Sequence, residues 1–185
     1  MNEKKLSVIF PGIGYHTDKP LLYFGTKLAR SSGYDTVFIG YHDMPQKIRG
    51  DMAMMKKAAL LAYEQSADQL KSVRFEDYDD VLFIGKSIGT VAMAKYASDN
   101  KLNVRQIWYT PVEATFSFAS GNTVAFIGDA DPWSDVDKVK NIAKDLGIKL
   151  YSYPECNHSL ECGDVARDLE TLSDVMRLSE LFIKG

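Results

Sequence analysis

Gly85, Ser87 and Gly89 form a Gly-x-Ser-x-Gly motif whose residue types are those of a nucleophile site. An apolar, strand-like run precedes the motif, and an apolar, helix-like run follows it. A serine on such a strand-to-helix turn adopts a strained backbone that lifts its hydroxyl above the sheet, and small residues on either side allow strand and helix to pack closely. We therefore interpret Ser87 as a nucleophile. Lys86 occupies the variable position before it and is expected to face solvent at the helix start.

A serine hydroxyl is a weak nucleophile unless a base removes its proton, and that base needs a carboxylate to fix its orientation. Among the 3 histidines, His158 is the candidate base, because it lies in the loop between the last predicted strand and the last predicted helix. The acid follows the fifth predicted strand, where two aspartates compete. We favour Asp131, beyond which Pro132 fixes the backbone, over Asp129, which follows a glycine and suits a role in the turn.

Short apolar runs alternate with helical stretches along the chain. The predicted strands are 6–10, 35–40, 80–84, 105–109, 123–127 and 149–153, and the predicted helices are 20–31, 51–72, 88–98, 134–146 and 164–184. Near-continuous apolar strands that alternate with helices predict an α/β fold with a doubly wound, mostly parallel six-stranded sheet and helices on both faces. In such sheets chemistry collects beyond the carboxyl ends of the strands, where the polar loops of this chain converge.

Composition and charge predict one soluble globular domain over residues 1–185. The net charge of −3 provides no basic surface, so we expect no nucleic-acid partner. Because the sequence shows no export signal and no apolar run of membrane-spanning length, we expect a cytoplasmic protein without a membrane partner. Cys156 and Cys162 are expected to be free thiols. No His, Cys and carboxylate cluster has metal-ligand spacing, so neither a metal nor another cofactor is predicted.

The order of the candidate residues resembles that of the α/β-hydrolase superfamily, whose members carry Ser, then Asp or Glu, then His on loops after successive strands. Here Asp131 lies 44 residues after Ser87, and His158 lies 27 residues after Asp131. The segments Gly-Asp-Ala-Asp-Pro-Trp at 128–133 and Asn-His-Ser-Leu-Glu at 157–161 are similar to the acid and histidine loops of small esterase-like and dienelactone-hydrolase-like members. The resemblance covers almost the whole chain and implies a Ser-His-Asp catalytic triad.

The resemblance also implies an oxyanion hole formed by two backbone N–H groups. One belongs to Ile88, the residue after the nucleophile, at the start of a helix whose dipole favours negative charge. The second belongs to the loop after the first strand, which reads Pro-Gly-Ile-Gly-Tyr-His where family members often have His-Gly. We favour Ile13 as this donor, with Gly14 or Tyr15 as alternatives.

Two departures from larger family members are visible in the sequence. The connection 110–121 is too short for a helical lid, and the family's first two antiparallel strands are missing. We therefore expect a minimal α/β-hydrolase core without a cap domain, whose open site suits small or flexible acyl groups. The residues expected to line the substrate pocket are Gly14, Tyr15, His16, His42 and Trp133.

Together these inferences predict a serine hydrolase of the carboxylesterase or thioesterase type that acts on a small-molecule acyl substrate. Ser87 attacks the acyl carbonyl, His158 transfers the proton, Asp131 orients His158, and water then hydrolyses the acyl-enzyme. Two alternatives use the same fold: a non-catalytic small-ligand-binding protein, and a peptidase or C–C bond hydrolase with the same triad. The final helix or an apolar sheet edge is a candidate surface for a homodimer, although no residue pattern requires one.

Overall fold

The computed structural model describes residues 3–120 and 122–185. The first two residues of the predicted domain and the last residue of the predicted connection 110–121 lie outside these ranges. The strands are β1 (Lys5–Phe10), β2 (Tyr34–Phe38), β3 (Asp80–Lys86), β4 (Arg105–Tyr109), β5 (Thr123–Gly128) and β6 (Lys149–Tyr153). The helices are α1 (Pro20–Ser31), α2 (Met52–Gln69), α3 (Ile88–Asp99), α4 (Val136–Asp145) and α5 (Val165–Lys184), with short 3-10 helices at Phe75–Asp77 and Glu113–Phe118.

The six strands form one sheet in the order β2-β1-β3-β4-β5-β6, and every neighbouring pair is parallel. The predicted doubly wound sheet is confirmed. After β2 the chain crosses back to the other side of β1, so the direction of winding reverses between β1 and β3. Phe10 at the end of β1 pairs with Gly85, two residues before Ser87. The serine therefore lies at the switch point where sheets of this kind bind ligands.

Helices cover both faces of the sheet, as the continuous apolar strands require. Alternate side chains of β3 enter two separate cores, with Phe83 on one face and Leu82 and Ile84 on the other. Helices α2, α3 and α4 contribute to the first core, whereas α1 and α5 contribute to the second. Three helices begin at an aspartate whose side chain accepts a backbone N–H of the first turn, as N-cap residues do: Asp51, Asp135 and Asp164.

The apolar residues of α5 are only partly covered. Val165 and Leu169 in its first two turns are 74% and 61% exposed, whereas Val175 and Ile183 further along are buried. The helix packs against α1 and β5. Helical spacing in the sequence identifies the apolar face of α5, but it does not show how much of that face is covered by neighbouring elements. Within the described ranges, no helix combines the length and the apolar character needed to span a membrane, and Cys156 and Cys162 are not bridged.

Candidate active site

Ser87 lies on a strained turn between β3 and α3, with φ 55° and ψ −122°. This backbone region is sparsely populated for residues other than glycine and is found mainly at functional sites. Gly89 is needed for packing, because a Cβ there would collide with the Pro11 carbonyl oxygen, and a Cβ on Gly85 would displace the side chain of Met93. The motif thus lets α3 start directly against the ends of β1 and β3.

A continuous chain of hydrogen bonds runs from Ser87 through His158 to Asp131. His158 Nε2 lies 2.7 Å from Ser87 Oγ, and His158 Nδ1 lies 2.6 Å from Asp131 Oδ2. The second carboxylate oxygen of Asp131 accepts the Trp133 N–H at 2.9 Å, and the Asp131 side chain is completely buried. Because a carboxylate only accepts, it holds the imidazole proton on Nδ1 and leaves Nε2 free to accept the serine proton.

The loops after β5 and β6 are fixed against each other where they carry Asp131 and His158. The Ala130 N–H donates to the Cys156 carbonyl oxygen at 2.9 Å. A Cβ on Gly128 would collide with that same carbonyl, so only glycine permits this approach. Sequence reasoning did not assign a role to Gly128, although a glycine at the end of an apolar strand indicates close backbone packing.

Asp129, the alternative acid, points elsewhere. Its carboxylate pairs with Lys140 Nζ of α4 at 2.8 Å, and its N–H donates to the Tyr153 carbonyl oxygen. The structure therefore brings Asp131, and not Asp129, to His158.

The surroundings of His158 keep its imidazole neutral. Burial is the largest cause that lowers its pKa below 6.5, and the positive charge of Lys86 lowers it further, while Asp131 acts in the opposite direction. The Trp133 ring stacks on the imidazole, with centroids 5.6 Å apart and 29° between planes. A neutral imidazole at neutral pH is the form that accepts a proton from a hydroxyl.

Lys86 is buried, and the expectation that it faces solvent is wrong. It is 1% exposed, and its Nζ lies 4.9 Å from the centroid of the Tyr15 ring. Burial lowers its pKa from 10.5 to about 7, against the opposing charges of Asp131 and Glu161. The physical reason is that β3 extends to Lys86, which still pairs with Tyr109, so the side chain belongs to the sheet and is covered by the loops beyond it.

The loop after β1 packs directly on the turn that carries Ser87. A Cβ on Gly12 would lie 3.3 Å from both Ser87 Cβ and the Lys86 carbonyl oxygen, so the backbone of this loop is within contact distance of the serine. The Tyr15 N–H donates to the Gly12 carbonyl oxygen at 3.3 Å and is engaged there. Of the three predicted oxyanion donors in this loop, Tyr15 is thus disfavoured, whereas Ile13 and Gly14 remain.

Tyr15 instead anchors the loop to the fold. Its hydroxyl accepts the N–H of Leu21 in the first turn of α1 at 3.1 Å, and burial raises the pKa of this phenol to about 12. On the other side of Ser87, Ile88 is the first residue of α3, and the N–H groups of a first helical turn have no acceptor within the helix. Backbone N–H groups that could donate to an oxyanion near Ser87 therefore lie on both sides of it, in the loop after β1 and at the start of α3.

A cavity of about 1140 Å³ opens above Ser87 and His158. Its walls include three of the five predicted pocket residues, Gly14, Tyr15 and Trp133. Further apolar lining residues come from the loop after β1, from α2 and the loop before it, from α3, and from the 3-10 helix Glu113–Phe118 and the residue before it: Ile13, Ile48, Met52, Met55, Leu60, Ile88, Val91, Val112 and Phe118. The volume exceeds what a small acyl group fills, because α2 and the 3-10 helix supply walls without a cap domain.

His16 and His42 do not line this cavity, which corrects their prediction as pocket residues. Both are exposed. His16 lies at the turn into α1, where its carbonyl oxygen accepts the Lys19 N–H, and the backbone of His42 is bonded on both sides to the Gln65 side chain of α2. Each follows a strand as expected, but the chain then turns away from Ser87.

The described ranges hold no group of three or more His, Cys, Asp or Glu side chains arranged for a metal ion.

Known proteins resemble the chain in structure but not in sequence. No protein-family model and no curated protein sequence matches it. An α/β serine hydrolase homologue from Coxiella burnetii superposes with a TM-score of 0.68 at 18% identity, covering 96% of this chain and 85% of the other. Est1E from Butyrivibrio proteoclasticus gives a TM-score of 0.66 at 14% identity over 100% and 90% of the two chains. The Pyrococcus furiosus esterase Pf2001 gives 0.63 at 12% identity over 98% and 84%.

These similarities, with the parallel sheet and its order, define the fold. The chain has the α/β-hydrolase fold in a minimal six-stranded form.

Proposed function

We propose that this protein is a serine hydrolase that cleaves an acyl ester or thioester through Ser87, His158 and Asp131. The observation that carries the proposal is the continuous hydrogen-bonded chain of these three side chains, which begins at a serine with a strained backbone. Structural similarity to a serine hydrolase homologue and to an esterase supports hydrolysis as the reaction class.

The geometry suits a two-step mechanism. Ser87 Oγ attacks the acyl carbonyl carbon while His158 Nε2 takes the hydroxyl proton, which forms a tetrahedral oxyanion and an imidazolium. The C–O or C–S bond to the leaving group then breaks, and Nε2 returns its proton to the departing alcohol or thiol. Water attacks the acyl-enzyme with the same proton transfers in reverse, which releases the carboxylic acid and regenerates the Ser87 hydroxyl.

Backbone N–H groups stabilise the oxyanion. Ile88 supplies one donor at the start of α3, and Ile13 supplies the second, with Gly14 as the alternative. Asp131 stabilises the imidazolium that forms at His158 during each proton transfer. A non-catalytic ligand-binding protein would have no use for a serine held in hydrogen-bond contact with a buried His-Asp pair.

Hydrolysis of p-nitrophenyl butyrate and of butyrylthiocholine tests the proposal with purified variants. Ser87→Ala and His158→Ala should each reduce kcat/KM by about 10⁴-fold or more, because members of such a triad act as a unit. Ser98→Ala, at an exposed serine near the end of α3, is the matched control and should leave the rate unchanged. Hydrolysis by folded Ser87→Ala at the wild-type rate would overturn the proposal.

A further inference from the structure

One wall of the cavity is apolar and lacks a partner within the described structure. Met52 and Leu60 of α2 both line the cavity, and they are 80% and 52% exposed. Val91, Val112 and Phe118 line it as well. The volume of about 1140 Å³ lies above the range of roughly 300–1,000 Å³ that is usual for small-molecule sites. Such a space accommodates an extended hydrocarbon chain next to Ser87.

Cationic side chains surround the same cavity. Arg49, Lys56 and Lys138 line it and are exposed. The ion pairs among the described residues involve none of the three. They come from three different places, the loop before α2, α2 itself and α4, and all three line the same cavity. Positive charge collects here although the whole chain carries −3.

The two acidic residues of the lining are engaged by backbone groups. Glu113 Oε1 accepts the Asp135 N–H at 2.9 Å, and Asp135 Oδ1 accepts the Lys138 N–H at 3.0 Å. Both carboxylates therefore serve the junction between the 3-10 helix Glu113–Phe118 and α4. The ammonium and guanidinium groups at the opening remain available to an anion from solution.

From the apolar wall and the cationic opening together, we infer that the substrate is an acyl ester or thioester with a medium to long hydrocarbon chain, whose alcohol or thiol portion carries a carboxylate or phosphate. The chain lies along Leu60, Val91 and Phe118, and the anionic leaving group faces Arg49, Lys56 and Lys138. This inference rests on the proposed hydrolase function and names its substrate class.

A matched pair of esters tests the anionic part. The decanoyl ester of para-hydroxybenzoate carries a carboxylate, and the decanoyl ester of methyl para-hydroxybenzoate does not. The enzymatic rate for each ester is divided by the rate of its alkaline hydrolysis, because the two esters differ in intrinsic reactivity. Wild type should prefer the anionic ester by about 10-fold in kcat/KM, since exposed charge pairs each contribute modestly. The combined variant Arg49→Gln, Lys56→Gln, Lys138→Gln should lose this preference through KM, and raised salt should weaken it in wild type.

A control variant removes the same charge at exposed residues that do not line the cavity. Lys27→Gln, Lys144→Gln and Arg177→Gln in combination should retain the wild-type preference. If wild type does not discriminate between the two esters, or if the control loses as much preference as the test variant, the anionic part of the inference is wrong. A carboxylate placed instead at the end of the acyl chain should give no advantage, and an advantage there would overturn the assignment to the leaving group.

A series of p-nitrophenyl esters from acetyl to decanoyl, used below their micellar concentrations, tests the apolar part. The kcat/KM should rise by about 4-fold for each added methylene that enters the cavity. Leu60→Gln should flatten this rise, whereas Leu146→Gln, at an exposed leucine outside the cavity, should not. Rates that fall beyond butyryl would refute the inference. Fluorophosphonate labelling of Ser87 distinguishes failure of the substrate class from failure of the hydrolase function. If Ser87 is labelled but the enzyme prefers neither the anionic ester nor the longer acyl chains, the substrate class is refuted and the hydrolase function is not.

Discussion

Replacing Lys86 by Met should stabilise the protein, and the gain should depend on pH. Burial lowers the pKa of Lys86 from 10.5 to about 7. The unfolded chain therefore binds a proton at this residue more readily than the folded chain does. As pH falls from 10.5 towards 7 the unfolded state gains the proton first, so the native state loses stability over this range and the loss is complete below it.

The size of the effect follows from the same pKa. Each pH unit between the two pKa values corresponds to about 1.4 kcal/mol, so charging the buried lysine costs the native state about 5 kcal/mol at low pH. Methionine has a similar shape and no charge, and it removes this term. The free energy of unfolding of Lys86→Met should exceed that of wild type by an amount that shrinks by about 3 kcal/mol between about pH 7 and pH 9.5.

Urea unfolding followed by circular dichroism at several pH values measures this difference. Comparing variant with wild type at each pH cancels the titrating groups that Lys86 does not influence, and any change in packing adds an offset that does not vary with pH. His158, whose pKa Lys86 lowers, titrates below this pH range. Lys57→Met, at an exposed lysine of α2, is the matched control and should show no such trend. A stability difference between Lys86→Met and wild type that is constant across this pH range would refute a buried lysine with a lowered pKa.

Three further predictions concern the site and its supporting turn. Asp131→Asn should lower kcat by about 10⁴-fold, because an amide no longer holds the imidazole in the required tautomer, whereas Asp129→Asn should retain nearly full ester hydrolysis; the reverse pattern would assign the acid to Asp129. In a pH profile of kcat/KM the acidic limb should have its midpoint below 6.5, because burial and the charge of Lys86 lower the pKa of His158, and Lys86→Met should move that midpoint upwards; a wild-type midpoint above 6.5 would contradict this. Gly89→Ala should destabilise the fold by about 3 kcal/mol or more, because the new methyl group meets the Phe10 and Pro11 carbonyl oxygens, and an unchanged melting temperature would count against that packing.

The convergence of the three loops was predictable from the sequence. Parallel strands place their carboxyl ends at one edge, and the order of Ser87, Asp131 and His158 on loops after β3, β5 and β6 then restricts where they meet. The glycines of the motif indicated the close packing of strand and helix. The choice between Asp131 and Asp129 rested on Pro132, and the structure adds the reason that Asp129 is held by Lys140.

Features that depend on what covers a residue were not predictable. Lys86 looked like a solvent-facing side chain, because its burial depends on Tyr15 from a distant part of the sequence. Likewise, helical spacing shows which residues of α2 share a face, but not that Met52 on this helix borders a cavity and remains exposed. The positions of His16 and His42 were wrong for a similar reason, since the direction of a loop after a strand is set by tertiary contacts.

The most direct test of the central claim is labelling with a fluorophosphonate probe, followed by mass spectrometry of the adduct. An activated serine reacts with the probe because the neighbouring imidazole removes its proton, and an ordinary serine does not. The structure predicts an adduct on Ser87 of the wild-type protein and none in Ser87→Ala. Absence of an adduct on folded wild-type protein, or an adduct of equal yield on the Ser87→Ala variant, would contradict the assignment of Ser87 as the nucleophile.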